Sequence, residues 1–501
     1  MSTKSIMIQG TGSGVGKSVL VAALCRIFKR DGYGVAPFKA QNMALNSYVT
    51  IKGEEMGRAQ VVQAEAAKLE PEVEMNPILI KPTADTKAQV IVLGKPIGNF
   101  EAMKCHLFKS NLSKVVRESY QRLAKKFEII VIEGAGSPAE INLMKRDIVN
   151  MRVARMAKSP VILVGDIDKG GVFAWIWGTI DLLPFKDKRK IKGVIINKFR
   201  GDKKLLEPGL KFLEKKIHSP VLGVIPYFKD IRIREEDSLS LKYRNFSKKG
   251  EIKIEVVYLP HLSNFTDFDY LKEERGVSFR FTGKGESLSD PDVVIIPGSK
   301  NTLDDLFYLR ERGYDRGIIN LATRGKIVVG ICGGFQMLGA GIEDPHHLES
   351  HRRRIKGLNL LDVYTRTERK RITHQVKATP LRIFSSSQIL SGYEIHTGRT
   401  KLGRNVNPLF RIIQRSHQRV EVLDGAINKE NSIFGTYIHG IFDNDGLRRE
   451  FINYVRKRKG LPPLKNSDKC INREEEYEKL ADLVENNLNK NLLYQILKRG
   501  L

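Results

Sequence analysis

The chain has 501 residues, 41% hydrophobic and 28% charged. That is too long for one hydrophobic core, and two domains of roughly 200 to 250 residues are expected. The 85 basic and 57 acidic side chains give a formal charge of +28, which favours an acidic partner. The basic residues fall in short clusters such as KDKRK and HRRRIK, without the interleaved aromatics that stack bases, so nucleic acid is not expected as the partner.

The four cysteines, Cys25, Cys105, Cys332 and Cys470, form no C-x-x-C pair. This argues against a zinc site or a disulfide framework and for a reducing compartment. No segment has the length of an uncharged membrane span, so a cytoplasmic protein with no membrane partner is expected.

From Ser5 the chain reads as a buried strand, SIMIQG, then a glycine loop, then an apolar helix, SVLVAALCRIFKRDG, stopped at Gly32. The loop GTGSGVGKS, Gly10 to Ser18, lies between strand and helix, the setting of a phosphate-binding loop. Backbone N–H groups around Gly10, Thr11, Gly14 and Gly16 can curl about phosphate oxygens. Lys17 can reach the terminal phosphates, and Ser18 is placed to ligate Mg²⁺. The first glycine stands one residue earlier than in the standard pattern, because position 11 is Thr.

Later apolar runs, FEIIVIEG, SPVILVGD, KGVIINKF and PVLGVIPY, alternate with helical segments and imply a parallel sheet covered on both faces. Glu133 ends the first of these runs, where a carboxylate meets water, a metal or a cation. Asp166 and Asp168 end the second, suiting Mg²⁺ or phosphate. Asn197 ends the third, as a reader of the base edge or as a turn former. Such strand ends share one edge of a parallel sheet, where these folds bind ligands.

The charged stretch from Phe228 to Gly250 reads as a linker or surface loop. A second α/β series follows, IKIEVVYLP, DVVIIPGS, KIVVGICGG and SIFGTYIHGIF. In it Cys332 occupies a strand-to-helix turn among glycines. It is either a packed core thiol or a nucleophile on a sharp turn, with the Gly333 N–H, and the loop at Gly298 and Ser299, facing a developing oxyanion. His439, at the end of an apolar run, is the preferred base, with His396 as its rival. In the closing segment Tyr477, Leu480, Val484, Leu488, Leu492 and Ile496 share one helical face, expected to dock against the second domain.

GICGGFQMLG, PGSKNTLDDL, GYEIHTGRT and GTYIHGIFDN together resemble the class I glutamine amidotransferase domain of the cobyrinate and cobyrate amidases. GTGSGVGKS, FKAQNMALNS, EGAGSPAEINL, GDIDKGGVFA and NKFRGD resemble the dethiobiotin-synthetase-like ATP domain of the cobyric acid synthase family. The resemblance spans Ser5 to Asn444.

It implies an α/β chain of two domains. These are a P-loop parallel sheet over 1–235, a linker over 236–250, a flavodoxin-like class I glutamine amidotransferase domain over 251–450, and a helical tail over 451–501. It implies Cys332 as nucleophile and His439 as base, and Lys17 and Ser18 as the residues that handle ATP phosphates and Mg²⁺, with Glu133 as a further metal ligand; Asn197 as a nucleotide contact and Asp166 as a metal ligand are expected from their strand ends alone. It further implies ATP- and glutamine-dependent amidation of the b, d, e and g carboxylates of adenosylcobyrinic acid a,c-diamide. Ammonia would travel from one site to the other through a passage between the domains. Two alternatives remain, a sister amidoligase such as the a,c-diamide synthase and a DNA-associated partition-type ATPase; the latter has no use for Cys332 and His439. The wider class I pattern places a glutamate two residues after the histidine, where this chain has Ile441. Either the pair works alone, or a residue such as Asp443 or Glu394 orients the imidazole.

Overall fold

Six parallel strands carry the first sheet: β1 (Lys4–Gly10), β2 (Val35–Phe38), β3 (Ile129–Glu133), β4 (Val161–Asp166), β5 (Ile191–Phe199) and β6 (Val221–Pro226), in the order β6-β5-β4-β1-β3-β2. In the computed structural model, residues 3–84, 87–101, 109–144, 147–228, 230–234, 246, 249–384, 387, 389–464 and 472–499 are described. The expected linker at 236–250 lies almost wholly outside them. Contacts divide the chain into two units, one of Met1–Ala44, Met56–Arg234 and Asn472–Leu501, the other of Leu45–Glu55 and Glu235–Ile471.

In the first unit the central strands are apolar on both faces because helices cover both. Ile6, Ile8, Val131, Ile162, Val164 and Ile195 are each at most 2% exposed. Strand β1 lies between β3 and β4, pairing Ile8 with Glu133 and Gly10 with Val164. The glycine loop and Glu133 therefore leave the sheet at one edge.

The tail differs from the expectation, because it divides: Phe451, Ile452 and Val455 stay in the core of the second unit, whereas two separate closing helices, Arg473–Glu485 and Lys490–Arg499, pack on the first. Tyr477, Leu480, Val484, Leu488 and Ile496 join the core formed by Leu20, Leu24 and Phe28 of helix α1 (Lys17–Arg30). The break has a physical cause, because Leu488 bridges Gly223 at the edge of the sheet and Asn489 donates its N–H to the Leu222 carbonyl at 2.7 Å. Buried Arg26 of α1 pairs with Glu474 and Glu478 at 2.9 and 3.1 Å.

The second unit has its own core and a seven-stranded sheet. Its strands are β7 (Ile252–Val256), β8 (Val277–Phe281), β9 (Val293–Ile296), β10 (Ile327–Ile331), β11 (Val406–Asn407), β12 (Ala426–Asn428) and β13 (Ile433–Thr436). Their order is β8-β7-β9-β10-β13-β12-β11. The four adjacent strands β7, β9, β10 and β13 run parallel, so the segments leaving them emerge together. A long antiparallel hairpin, Val363–Pro380 with Leu390–Leu402, belongs to a further sheet of this unit. Among the described residues no helix is long and apolar enough to cross a membrane.

Candidate active site

Each of the four adjacent strands contributes one part of a buried cluster in the second unit. The register pairs Ile331 of β10 with Thr436 of β13, and the Cys332 N–H donates to the Thr436 carbonyl at 2.8 Å. Cys332, just past β10, and His439, three residues past β13, are brought together by that pairing. Cys332 is 7% and His439 1% exposed.

Cys332 has φ +51 and ψ −104, a left-handed conformation that a residue with a Cβ adopts only when its surroundings impose it. Gly334 is part of what imposes it, since a Cβ there would run into the carbonyl of Ile296 at the end of β9. The turn is therefore pressed against its neighbouring strand and projects the thiol.

The imidazole is fixed from a part of the chain that carries no recognisable motif. His439 Nδ1 lies 2.7 Å from Asp267 Oδ2, and the Gly440 N–H donates to Asp267 Oδ1 at 2.9 Å. Asp267 sits in a short 3₁₀ turn, Phe265–Phe268, beyond β7. Burial opposes a charged imidazole. The negative charge of Asp267, that of a Cys332 thiolate and hydrogen bonds to both outweigh it, raising His439 from 6.5 to about 10.

Neither residue offered as an orienting group, Asp443 or Glu394, fills that position. Glu394 instead forms a two-pronged ion pair with Arg415, at 2.7 and 2.9 Å. The rival His396 is turned to Glu394 (3.5 Å) and the Gly398 carbonyl (2.9 Å), and it stacks on Tyr437. Gly298, past β9, lies against the pair, for a Cβ on it would stand 3.1 Å from His439 Cε1. Gly333 lies as closely on the Ser299 backbone, 2.9 Å from a Cβ to the Ser299 nitrogen.

In the first unit the loop Gly10–Ser18 opens α1. Gly16 caps it at φ +96, where a Cβ would also collide with the Asn197 amide. Asn197 Nδ2 donates to the Val15 carbonyl at 2.8 Å and so buttresses the loop. Thr11 donates its N–H to Val164 on β4, and Lys17 folds over the loop, donating to the carbonyls of Gly12 and Gly136 at 2.7 and 3.1 Å. Gly14 has φ +70, and its carbonyl accepts from Lys198 at 2.6 Å.

Ser18 Oγ donates to Glu133 Oε1 at 2.8 Å. Three side chains absent from the expectation converge on the same carboxylate, Lys39 at 2.8 Å, Gln63 at 2.5 Å and Gln60 at 3.4 Å. Burial works against the ionised carboxylate, but the Lys39 charge and these hydrogen bonds lower its pKa and keep Glu133 anionic. A buried carboxylate held ionised beside a hydroxyl has the hard oxygen donors that suit Mg²⁺. Among the described residues no group of three or more His, Cys, Asp or Glu forms a metal cage. Asp166, also buried, is bound by Lys198 at 2.8 Å and by the Asp168 N–H at 3.0 Å.

Comparison with known proteins matches both units. Residues 6–241 fit the family described as CobQ/CobB/MinD/ParA nucleotide binding domain, and residues 253–447 the CobB/CobQ-like glutamine amidotransferase domain. The chain is 52% identical to a cobyric acid synthase of Clostridium botulinum (strain Loch Maree / Type A3), over 98% of this chain and 99% of that one. A cobyric acid synthase of Caldanaerobacter subterraneus subsp. tengcongensis is 50% identical over 99% and 98%. One of Alkaliphilus metalliredigens is 51% identical over 98% and 99%.

Proposed function

The chain belongs to the cobyric acid synthase family, and from that premise we propose how its residues divide the work of a glutamine-hydrolysing carbon–nitrogen ligase in cobalamin biosynthesis. The observation that carries the reading is the line Cys332–His439–Asp267, assembled from the ends of three strands in one buried cluster.

Cys332, its proton passed to His439, attacks the side-chain amide carbon of glutamine. His439 delivers its proton to the departing nitrogen, ammonia leaves, and a thioester remains. A water then gives a proton back to His439 and attacks the thioester, releasing glutamate and restoring the pair. Asp267 holds the imidazole throughout, and the backbone at Gly298 and Gly333 faces the oxyanion.

In the other unit the loop from Gly10 through Ser18, with Thr11, Gly14, Gly16 and Lys17, cradles the ATP phosphates. Ser18 and Glu133 would hold Mg²⁺, which would offset phosphate charge. Asp166 stands behind them, tied through Lys198 to the loop at Gly14, and Asn197 supports the loop at Val15. A carboxylate does not condense with ammonia unaided, because hydroxide is a poor leaving group. Transfer of the terminal phosphoryl group to the carboxylate replaces it with phosphate, which ammonia displaces.

The acceptor is adenosylcobyrinic acid a,c-diamide, amidated at b, d, e and g. We place the reaction in the cytoplasm, where ATP and glutamine are held. Mass analysis of the corrin diamide incubated with the protein, Mg-ATP and glutamine should show these amidations, and an unchanged corrin would sink the reading. Cys332→Ala should abolish glutamine use while ammonium salts still support amidation; loss of both would make the cysteine structural.

A further inference from the structure

Leu45–Glu55 belongs to the second unit, although the chain on either side of it belongs to the first. It forms a small hairpin. Strand Ser47–Val49 turns at Gly53, the Thr50 N–H donates to the Glu54 carbonyl at 2.8 Å, and Glu55 ends in an ion pair with Arg371 at 2.7 Å. Buried Val49 packs with Tyr393 and Ile395, and Tyr393 stacks on His439 with ring centres 5.2 Å apart.

The root of this hairpin grips the turn that presents Asp267. Asn46 Oδ1 accepts the Phe265 N–H, and the Ser47 N–H donates to Asn264 Oδ1, each at 3.0 Å. A backbone N–H can only donate, so it fixes which end of the Asn264 amide is oxygen. The nitrogen end is thereby aimed at His439, with Asn264 Nδ2 3.4 Å from His439 Nε2. An amide N–H facing Nε2 opposes a proton there, while Asp267 and Cys332 favour one.

We propose that the Leu45–Glu55 hairpin is a positioning element of the glutaminase. It pins Asn264 and the Asp267 turn so that His439 is held to take the proton from Cys332 and to release it to the departing ammonia. The element is supplied by the nucleotide-binding half of the chain. The inference rests on the Cys332–His439 reading above and adds Asn46, Ser47 and Asn264 as positioning residues.

The test compares full-length wild type, Asn46→Ala, Asn264→Ala and Cys332→Ala for glutamate release and for ammonium-driven amidation. Loss of one buried hydrogen-bond partner is expected to lower kcat for glutamate release roughly 10-fold or more in both asparagine variants. KM for glutamine should stay within about threefold, and ammonium-driven amidation within about twofold. In Asn264→Ala the alkaline limb of the glutaminase profile should move to higher pH, since the opposing N–H is gone. Asn264→Ala also removes the acceptor of the Ser47 N–H and places alanine at φ +54. Asn264→Asp keeps that acceptor, tolerates that backbone and replaces only the amide N–H, so it decides the matter even if either alanine variant folds poorly: its kcat for glutamate release should fall while ammonium-driven amidation is kept. Wild-type glutamate release in Asn264→Asp, or equal loss from both nitrogen sources, overturns the proposal. If Cys332→Ala still releases glutamate, it is the underlying reading that fails; if it is silent while both asparagine variants behave as wild type, only this inference fails.

Discussion

His439 and Cys332 could be singled out because each ends an apolar strand-like run beside glycines, a local pattern. Asp267 could not. It precedes His439 by 172 residues, in SNFTDFDY, where nothing separates it from an ordinary loop carboxylate. Only the strand order, which puts β7 within reach of β13, makes it the partner that Ile441 cannot be. Its removal is expected to act on the pair rather than on the fold. Asp267→Asn should lower glutamine-dependent turnover roughly 10²-fold or more while ammonium-driven amidation persists. The sign of the pH effect follows from charge. Asp267 raises the proton affinity of His439, so without that charge the imidazole loses its proton at lower pH, and the alkaline limb of the glutaminase profile should retreat from about 10 toward the ordinary histidine value. A limb that stays in place would mean that Asp267 does not set the imidazole charge.

Among the elements, the glycine loop and the cysteine turn were legible because each is encoded within about ten residues, strand, glycines and helix in order. The partners of Glu133 were not: Lys39, Gln60 and Gln63 come from other parts of the chain. The tail shows the opposite failure. Its apolar spacing announced a buried helical face but not the surface that buries it. That surface is α1, and the charge pattern agrees, since Arg26 and Arg30 meet Glu474, Glu478 and Asp482. Leu480 is fully buried there. Leu480→Ala should cost about 2–5 kcal/mol and lower the thermal transition of the nucleotide-binding unit, leaving glutamate release intact. A shift of the glutaminase transition instead would place the tail on the other unit.

For the whole molecule, a charge of +28 would attract the polycarboxylate acceptor proposed above, whereas glutamine is a zwitterion without net charge. About a tenfold rise in ionic strength shortens the screening length about threefold. KM for the corrin is therefore expected to rise with salt and KM for glutamine to stay nearly flat; parallel rises would detach the surface charge from corrin binding. Cys25, by contrast, has no chemical part: it is fully buried in the first core, and burial pushes its thiol well above the ordinary range.

By itself the sequence determined the two α/β series, the glycine loop, the glycine-flanked cysteine turn and the family, because these depend on short-range periodicity, glycines at fixed offsets and contiguous motifs. The tertiary structure alone decided which groups meet across long separations. Asp267 finds His439, Lys39 finds Glu133, the tail finds α1, and Leu45–Glu55 leaves its chain neighbours to grip the Asp267 turn. The reason is physical: each of these contacts depends on strand order and on the burial of polar groups that must find partners, and neither leaves a period or a spacing in the chain.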